Sequence, residues 1–357
     1  MASETHSERR LRGFTLIEIM VATAILVLMM SIVFSIINQT TDVWKKSKDR
    51  IAAYQAARNG FDALSRTLAQ ATLNTYLAYV KADGTLGQIG VDDPQGYAPY
   101  SELHLISGNS SVLLSRTAAE CPGHAVFFQA PLGHGNVRLP SLLNETGFYT
   151  EYGTDSGLPS FLTSAPGFKA KYRFRLMQFL SRSESLSVYA TGPSADPAPL
   201  DPWAWFRVPI SQSEPEAFPL ADNVVLLVLQ PVLPYYEDSS GLALLAGNST
   251  PFSYRYDSSA SVTYTTDLNP NPVSARHQLP PAYLVTMLAL EESSARLLEG
   301  SGSTPPDLGF DPSLVFQDAR NYASDLQAVE NALRSRNIGY RIFNTRVPIK
   351  GAKWSAE

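Results

Sequence analysis

Apolar residues are concentrated near the start of the chain. Residues Phe14–Ile37 form a run of 24 with a single charge, Glu18. No proline occurs before residue 94, and Gly60 is the one glycine between residues 14 and 83. Because proline and glycine are the strongest helix breakers, this pattern predicts one long helix. At ~1.5 Å per residue the apolar run covers about 36 Å, enough to cross a hydrocarbon core of roughly 30 Å.

The helical pattern continues beyond the apolar run with an amphipathic face. Six apolar residues recur at spacings of three or four and therefore share one side of a helix: Ile51, Tyr54, Ala57, Phe61, Leu64 and Leu68. We predict that residues 14–80 are the region of one long N-terminal helix, and that the helix itself ends at about Leu77. Residues 14–37 are its predicted membrane-spanning part. We expect the outer part of this helix to pack on a globular body.

The rest of the chain, residues 81–357, alternates short apolar runs with proline-bearing loops, which is typical of β-strands. In Lys171–Leu180 apolar and basic residues alternate, which predicts a half-buried strand. Further strands are predicted at Ala125–Phe128, Leu186–Tyr189, Val224–Leu229, Val262–Thr265 and Tyr283–Leu290.

The C-terminal region predicts a second helix followed by a strand. Apolar residues between Ala319 and Leu333 repeat at three and four, and Gly339 follows as a stop signal. Tyr340–Ile349 then has the composition of a terminal strand. The predicted fold class is therefore α+β, with a β-rich head packed on the outer part of the long helix.

Charge and cysteine content exclude several classes of protein. The chain has 28 Lys and Arg against 33 Asp and Glu, a net charge of −5. Nucleic-acid binders usually show a basic excess, so we expect no nucleic-acid partner. The single cysteine, Cys121, excludes an internal disulfide and a cysteine-only zinc site. No cofactor is expected.

Basic residues flank the apolar run on both sides. Arg9, Arg10 and Arg12 precede it and predict that this end stays in the cytoplasm. Residues 45–50 also contain three lysines and an arginine, but large domains are translocated largely regardless of charge. We therefore expect a periplasmic head on a single-pass inner-membrane protein.

Two simpler interpretations of the apolar run fail. A cleaved secretory signal has an apolar region of about 7–15 residues, shorter than this one. A plain membrane anchor gives no role to Glu18, and a carboxylate in lipid is unfavourable by at least a few kcal/mol and usually marks a function.

The residues around the start of the run carry a specific motif. Gly13-Phe14-Thr15-Leu16-Ile17-Glu18, followed by Ile19-Met20-Val21-Ala22, closely resembles the processing signal of type IV pilins and pseudopilins. The resemblance implies that a prepilin peptidase cuts after Gly13, so that residues 1–13 are a leader, and methylates Phe14. It also implies that Glu18 is the assembly glutamate, which meets the N-terminal amine of a neighbouring subunit. Many pilins carry a proline about twenty residues into the mature helix, and this chain departs from them there.

Two further resemblances concern the head. Leu220–Leu229 and Leu279-Pro280-Pro281-Ala282-Tyr283-Leu284-Val285, with Glu291-Glu292 after the second segment, resemble the J-type minor pseudopilin of type II secretion. The C-terminal segment Tyr340–Trp354 is similar to a pilin-like family called Verru_Chthon cassette protein C.

A few residues suggest a hydrolase, and each has a plainer interpretation. Asp155-Ser156-Gly157 is an Asp-Ser-Gly sequence. Such a sequence occurs in aspartic proteases and near the nucleophiles of serine proteases. An aspartic protease needs a second such carboxylate, but Asp238-Ser239-Ser240 and Asp257-Ser258-Ser259 lack the glycine. The composition favours a turn.

Two places in the sequence carry residue types that could bind a metal. Cys121, His124 and His134 match no closed zinc pattern. Asp92-Asp93 and Asp155 could contribute to a calcium loop, but the alternating oxygen donors of an EF-hand loop are absent. We expect no metal at either place.

An aromatic cluster lies in a segment that contains seven prolines, Pro193 to Pro219. Trp203, Trp205 and Phe206 fit either an exposed binding patch or packing under a loop. Because aromatic side chains are mostly buried, packing is favoured.

These observations predict a minor pseudopilin-like structural subunit of a type II secretion or type IV pilus-like fibre, and not an enzyme. The expected partners are other pseudopilins or minor pilins, the prepilin peptidase, an inner-membrane assembly platform and membrane lipid. Two alternatives stay open: a minor pilin with a ligand- or surface-binding head, and a membrane-anchored periplasmic hydrolase. The hydrolase would need a converging nucleophile and base.

Overall fold

A computed structural model describes most of the chain. The described residues are 15–81, 86–87, 91–92, 96–136, 139–154, 161, 164–168, 170–194, 199–212, 215–232, 254–260, 263–264, 273–274, 276–299 and 302–352. The chain divides into two compact units, residues 1–51 and residues 52–357. The second unit, which we call the head, therefore includes the last part of the long helix as well as the β-rich region.

Helix α1, Leu16–Leu68, contains 53 residues. The predicted helix over 14–80, with its end at about Leu77, is wrong at its C-terminal end. Beyond the helix, the Thr72 N–H donates to the carbonyl of Gln129 at 3.0 Å, and the two residues form an antiparallel bridge. Asn74 adopts a left-handed conformation with φ 46°. Residues Tyr76–Val80 then pair with the strand Gly96–Tyr100, so the chain is extended here and not helical.

The head contains many short strands. In the described residues these are β1 (Tyr76–Val80), β2 (Gly96–Tyr100), β3 (Ile106–Asn109), β4 (His124–Pro131), β5 (Leu143–Gly153), β6 (Arg173–Leu180), β7 (Ala217–Asp222), β8 (Val224–Val232), β9 (Tyr256–Asp257), β10 (Thr263–Tyr264), β11 (Val273–Ser274), β12 (Ala282–Leu290) and β13 (Tyr340–Pro348). The fold class is α+β, as predicted.

The described strands form two main sheets and two small two-stranded sheets. The larger sheet has six antiparallel strands in the order β7-β6-β5-β4-β3-β9, and a three-stranded antiparallel sheet has the order β13-β12-β8. A bridge between Gly123 and Leu227 joins the two main sheets. Strands β1 and β2 pair with each other, as do β10 and β11.

In the part of the head that the structure describes, five short or medium helices accompany the sheets. They are α2 (Ser110–Leu114), α3 (Val188–Thr191), α4 (Ala204–Ser211), α5 (Glu292–Leu298) and α6 (Tyr322–Ser335), with 3₁₀ turns at Ser183–Ser185 and Ala319–Asn321. The predicted strand Leu186–Tyr189 is wrong, because this segment contains the start of α3. There the buried carboxylate of Glu145 accepts the N–H groups of Ser187 and Val188, both at 2.6 Å.

Most other predicted elements are confirmed. The structure has β4, β8, β12, α6 and β13 where the sequence predicts them, and β10 within Val262–Thr265. The strand within Lys171–Leu180 is β6, but it is not half-buried. Both of its faces are covered, and the side chains of Arg173 and Arg175 are only 8% and 6% exposed.

The outer part of α1 belongs to the main hydrophobic core of the head. Ala57, Phe61, Leu64 and Leu68 are buried there, as their spacing predicts. Gly60 lies on the same side of the helix, and a Cβ atom at this position would lie 3.0 Å from the Cβ atom of Ala221. The glycine therefore lets the helix lie close to strand β7.

Candidate functional site

The first part of α1 has the length and composition of a membrane span. Leu16–Lys45 contains 30 residues, an 18-residue stretch of which has a mean hydropathy of 2.7, and its apolar side chains are exposed. Since exposed apolar side chains on this scale are unfavourable in water, a lipid environment or other apolar helices must cover them.

Glu18 is held at the start of this helix by two hydrogen bonds from Thr15. The backbone N–H and the side-chain hydroxyl of Thr15 both donate to Glu18 Oε2 at 2.9 Å. In return, the Glu18 N–H donates to Thr15 Oγ1 at 3.3 Å. This reciprocal arrangement is a capping box, which satisfies backbone donors that have no partner within the helix.

The capping box fixes the position of the carboxylate but uses only one of its oxygens. Glu18 Oε1 has no hydrogen-bond partner among the described residues. No other charged residue occurs until Asp42. A negative group at a helix N-terminus is favoured by the helix dipole, but in lipid it still requires a cation. The free oxygen can therefore accept a hydrogen bond from an incoming ammonium group.

The predicted cleavage and methylation positions, Gly13 and Phe14, lie outside the described residues. Comparison with protein families tests the motif that contains them. Residues 9–34 match the family model described as a prokaryotic N-terminal methylation motif. The match supports a type IV pilin-like protein. A motif of this kind implies processing by prepilin peptidase and assembly with other pilins. The single apolar helix found in the described residues fits a single membrane anchor.

The family match covers only the N-terminal motif. Searches of curated proteins and of solved structures give no significant match to this chain. The head must therefore be interpreted from its own side chains.

The residues once considered for zinc do not converge on one site. His124 is buried, its Nε2–H donates to the carbonyl of Phe316 at 3.2 Å, and its Nδ1 accepts the Leu229 N–H at 3.1 Å. Burial lowers the pKa of His124 to about 4. Cys121 is also buried, which raises the pKa of its thiol to about 12, whereas His134 is exposed. Across the described ranges, no three His, Cys, Asp or Glu side chains are grouped to hold a metal ion.

The described structure contains a buried histidine–carboxylate pair that sequence reasoning missed. The Trp205 indole N–H donates to His104 Nδ1 at 3.2 Å, so His104 Nε2 carries the proton and donates to Asp257 Oδ1 at 2.9 Å. Burial alone would raise the pKa of Asp257, but the hydrogen bonds from His104 and Ser259 lower it well below its usual range. Both ring nitrogens are occupied, so this histidine cannot activate a serine as in a catalytic triad.

The remaining candidates for hydrolysis and for calcium binding lie largely outside the described residues. Asp155-Ser156-Gly157 and Asp238-Ser239-Ser240 lie outside the described residues, as does Asp93. Asp92 forms an ion pair with Lys81 at 3.3 Å.

The aromatic cluster is packed inside the head. Trp205 and Phe206 are fully buried, and the Phe206 ring stacks on Phe127 with 4.0 Å between ring centroids. Trp203 is half-buried, with the guanidinium of Arg207 4.6 Å from the centre of its ring. The prediction of packing is confirmed for this cluster.

An ion cluster around the buried Arg173 side chain links helix α5 to β6. The Arg173 guanidinium donates to both carboxylate oxygens of Glu292 at 2.9 Å and to Glu299 at 2.5 Å. The Asn223 amide donates a further bond to Glu292 at 2.8 Å. Burial would raise the pKa of Glu292, but these contacts lower it. Glu292 therefore forms its ion pair within the head.

The head also has an open cleft of about 490 Å³ between β5, β6 and the end of α4. Two arginines line it, but Arg116 is paired with Glu151 at 2.5 Å and Arg175 with Asp222 at 2.8 Å. The charges of the cleft are therefore balanced by the head itself, which gives little basis for binding a charged ligand.

Proposed function

We propose that this protein is a minor pseudopilin-like structural subunit of a type II secretion or type IV pilus-like fibre. In this proposal the helix anchors the subunit in the inner membrane, and the head lies in the periplasm. Prepilin peptidase removes residues 1–13 and methylates Phe14, and an inner-membrane assembly platform then inserts the subunit among other pseudopilins or minor pilins. The resemblances in β8, β12 and Tyr340–Trp354 favour a minor position in such a fibre.

The observation that carries the proposal is the geometry of Glu18. Its carboxylate is the one charge of the apolar run, and Thr15 holds it with one oxygen free. Cleavage after Gly13 would create an amine on Phe14 of each subunit. An ammonium group from a neighbouring subunit would neutralise the carboxylate in a medium where an unpaired charge is unfavourable. Processing would in this way be coupled to assembly.

A structural role is also proposed in preference to catalysis. The buried His104 has both nitrogens occupied, and the arginines of the open cleft are paired with carboxylates. These contacts support a head that is stabilised by its polar side chains.

The variant Glu18→Gln tests the proposal. Glutamine keeps the shape of the side chain and an oxygen that accepts from Thr15, but it removes the charge. Membrane insertion and cleavage after Gly13 should persist. Crosslinking to neighbouring subunits in the membrane should fall roughly tenfold or more, because a hydrogen bond to a charged group contributes about 1.5–3 kcal/mol.

The head offers a matched control. Thr117 and Glu120 form the same kind of box, in which the Thr117 N–H and hydroxyl donate to Glu120 Oε2 at 3.1 and 2.9 Å. Glu120→Gln should leave crosslinking unchanged. Wild-type crosslinking in the Glu18→Gln variant would contradict the assembly role.

A further inference from the structure

Four basic residues follow the membrane span and lie outside residues 9–34, which match the methylation motif. Lys45, Lys46, Lys48 and Arg50 follow the apolar run. In the proposed orientation they lie on the periplasmic side, although Lys and Arg normally accumulate on the cytoplasmic side. A specific contact at this level would explain their presence, and the following argument rests on the proposed orientation.

Three of the side chains at this level share one face of α1. Successive residues of an α-helix are rotated by about 100°, so Trp44, Lys45 and Lys48 lie within roughly a quarter to a third of the helix circumference. Trp44 is 63% exposed, and Lys45 and Lys48 are exposed as well. The Lys48 Nζ lies 5.5 Å from the centre of the Trp44 ring. An aromatic ring and two ammonium groups are thus presented together.

The length of the helix places this face at the far surface of a bilayer. Leu16 and Trp44 are separated by 28 residues, which corresponds to about 42 Å of helix. A bilayer including its headgroups is roughly 40–45 Å thick. When the hydrocarbon core, roughly 30 Å thick, begins near Glu18, Trp44 lies about 39 Å along the helix and therefore at the level of the opposite headgroups. The polar residues Asn38–Asp42 precede it where the hydrocarbon ends.

We propose that Trp44, Lys45 and Lys48 form a binding site for the headgroups of anionic phospholipids in the periplasmic leaflet. The two ammonium groups complement lipid phosphates, and tryptophan favours the boundary between headgroups and acyl chains. The site fixes the depth of the helix before assembly. The subunit must release these lipids when it leaves the membrane for a fibre.

The proposal is tested by measuring the depth of the helix in vesicles. The full-length processed chain carries a nitroxide label at Ser47→Cys, an exposed position beside the site, and the native Cys121 is fully buried and unreactive. Vesicles contain phosphatidylcholine alone or with added phosphatidylglycerol. Accessibility of the label to oxygen and to a water-soluble nickel complex reports its depth.

In vesicles with phosphatidylglycerol, the double variant Lys45→Gln/Lys48→Gln should move the label by about one helical turn, roughly 5 Å. The matched variant Lys45→Arg/Lys48→Arg should keep the wild-type depth. In phosphatidylcholine alone the Gln variant and the wild type should agree. Equal depth of the Gln variant and the wild type in both kinds of vesicle would overturn the proposal. An equal shift in both would also overturn it, because the lysines would then respond to water and not to anionic lipid.

A second label at Ser31→Cys, within the span, separates this proposal from the proposed function. It should be accessible to oxygen and protected from the nickel complex in every sample. Exposure to the nickel complex would mean that the helix does not insert, which overturns both the lipid site and the membrane anchor. Since no fibre is needed, failure of Glu18-dependent crosslinking would leave the depth result intact.

Discussion

Tyr54 of helix α1 donates a hydrogen bond to Glu291, the residue directly after strand β12, with 3.0 Å between the phenol oxygen and Oε1. The Arg341 guanidinium of β13 lies 5.4 Å from the centre of the same ring. One tyrosine thus links the outer part of α1 to the region of β12 and β13, neighbouring strands of the three-stranded sheet.

This link predicts the effect of Tyr54→Phe. Phenylalanine keeps the ring beside Arg341 but removes the hydrogen bond to Glu291, so the docking of α1 should weaken by about 1 kcal/mol. In hydrogen exchange of the full chain in detergent, amides near residue 57 should exchange several times faster. Tyr97→Phe, at a 69% exposed position, should have no effect. Unchanged exchange in the Tyr54 variant would show that the hydrogen bond does not hold the helix.

The Arg173 cluster predicts a strong loss of stability. Arg173→Met would leave the carboxylates of Glu292 and Glu299 without the cation that both contact. Removing one partner of a buried ion pair lowers the stability of a fold by about 3–5 kcal/mol. Amides of strand β6 should then exchange much faster. As a control, Arg334→Met removes a surface ion pair with Glu330, which contributes at most about 1 kcal/mol. Equal effects of the two variants would contradict the structural role of Arg173.

His124 predicts how the stability of the head depends on pH. Its pKa is about 4 in the folded state, because burial disfavours the charged form, against an ordinary value of 6.5. A histidine kept neutral by folding contributes stability that is present above pH 6.5 and is lost as the pH falls through 4. The loss should reach about 3 kcal/mol over that window. It should appear as faster exchange of the Leu229 amide, which donates to His124.

The variant His124→Gln isolates this effect. His277 also has a pKa lowered to about 4, by burial and by Arg276. Both histidines should therefore contribute to the pH dependence of stability in the wild type. The Gln variant should lose part of the pH dependence of stability between pH 4 and 6.5. Identical pH profiles for His124→Gln and the wild type would show that His124 is not the titrating group.

Local pattern predicted much of the fold. The buried face of α1 follows from the spacing of Phe61, Leu64 and Leu68, and continuous apolar runs located β8 and β12. The errors arise where a distant residue decides the structure. Arg173 and Arg175 look solvent-exposed in the alternation of β6, but Glu292 and Asp222 cover them.

In the candidate site, too, local patterns are visible in the sequence and distant contacts are not. Glu18 was found because it is the one charge in an apolar run. Its partner Thr15 could also have been found, since Thr-x-x-Glu before an apolar run is the signature of a capping box. In contrast, His104 and Asp257 are 153 positions apart in the sequence. No local pattern predicts their contact.

The central claim is that this chain is processed and assembled as a pilin-like subunit, and mass analysis of its native N-terminus tests it most directly. In cells with an active prepilin peptidase, the N-terminal peptide should begin at Phe14 and carry one added methyl group. The variant Gly13→Ala, which alters the residue before the cut, should accumulate the unprocessed form. A wild-type protein that retains Met1, or that is cut elsewhere, would contradict the account.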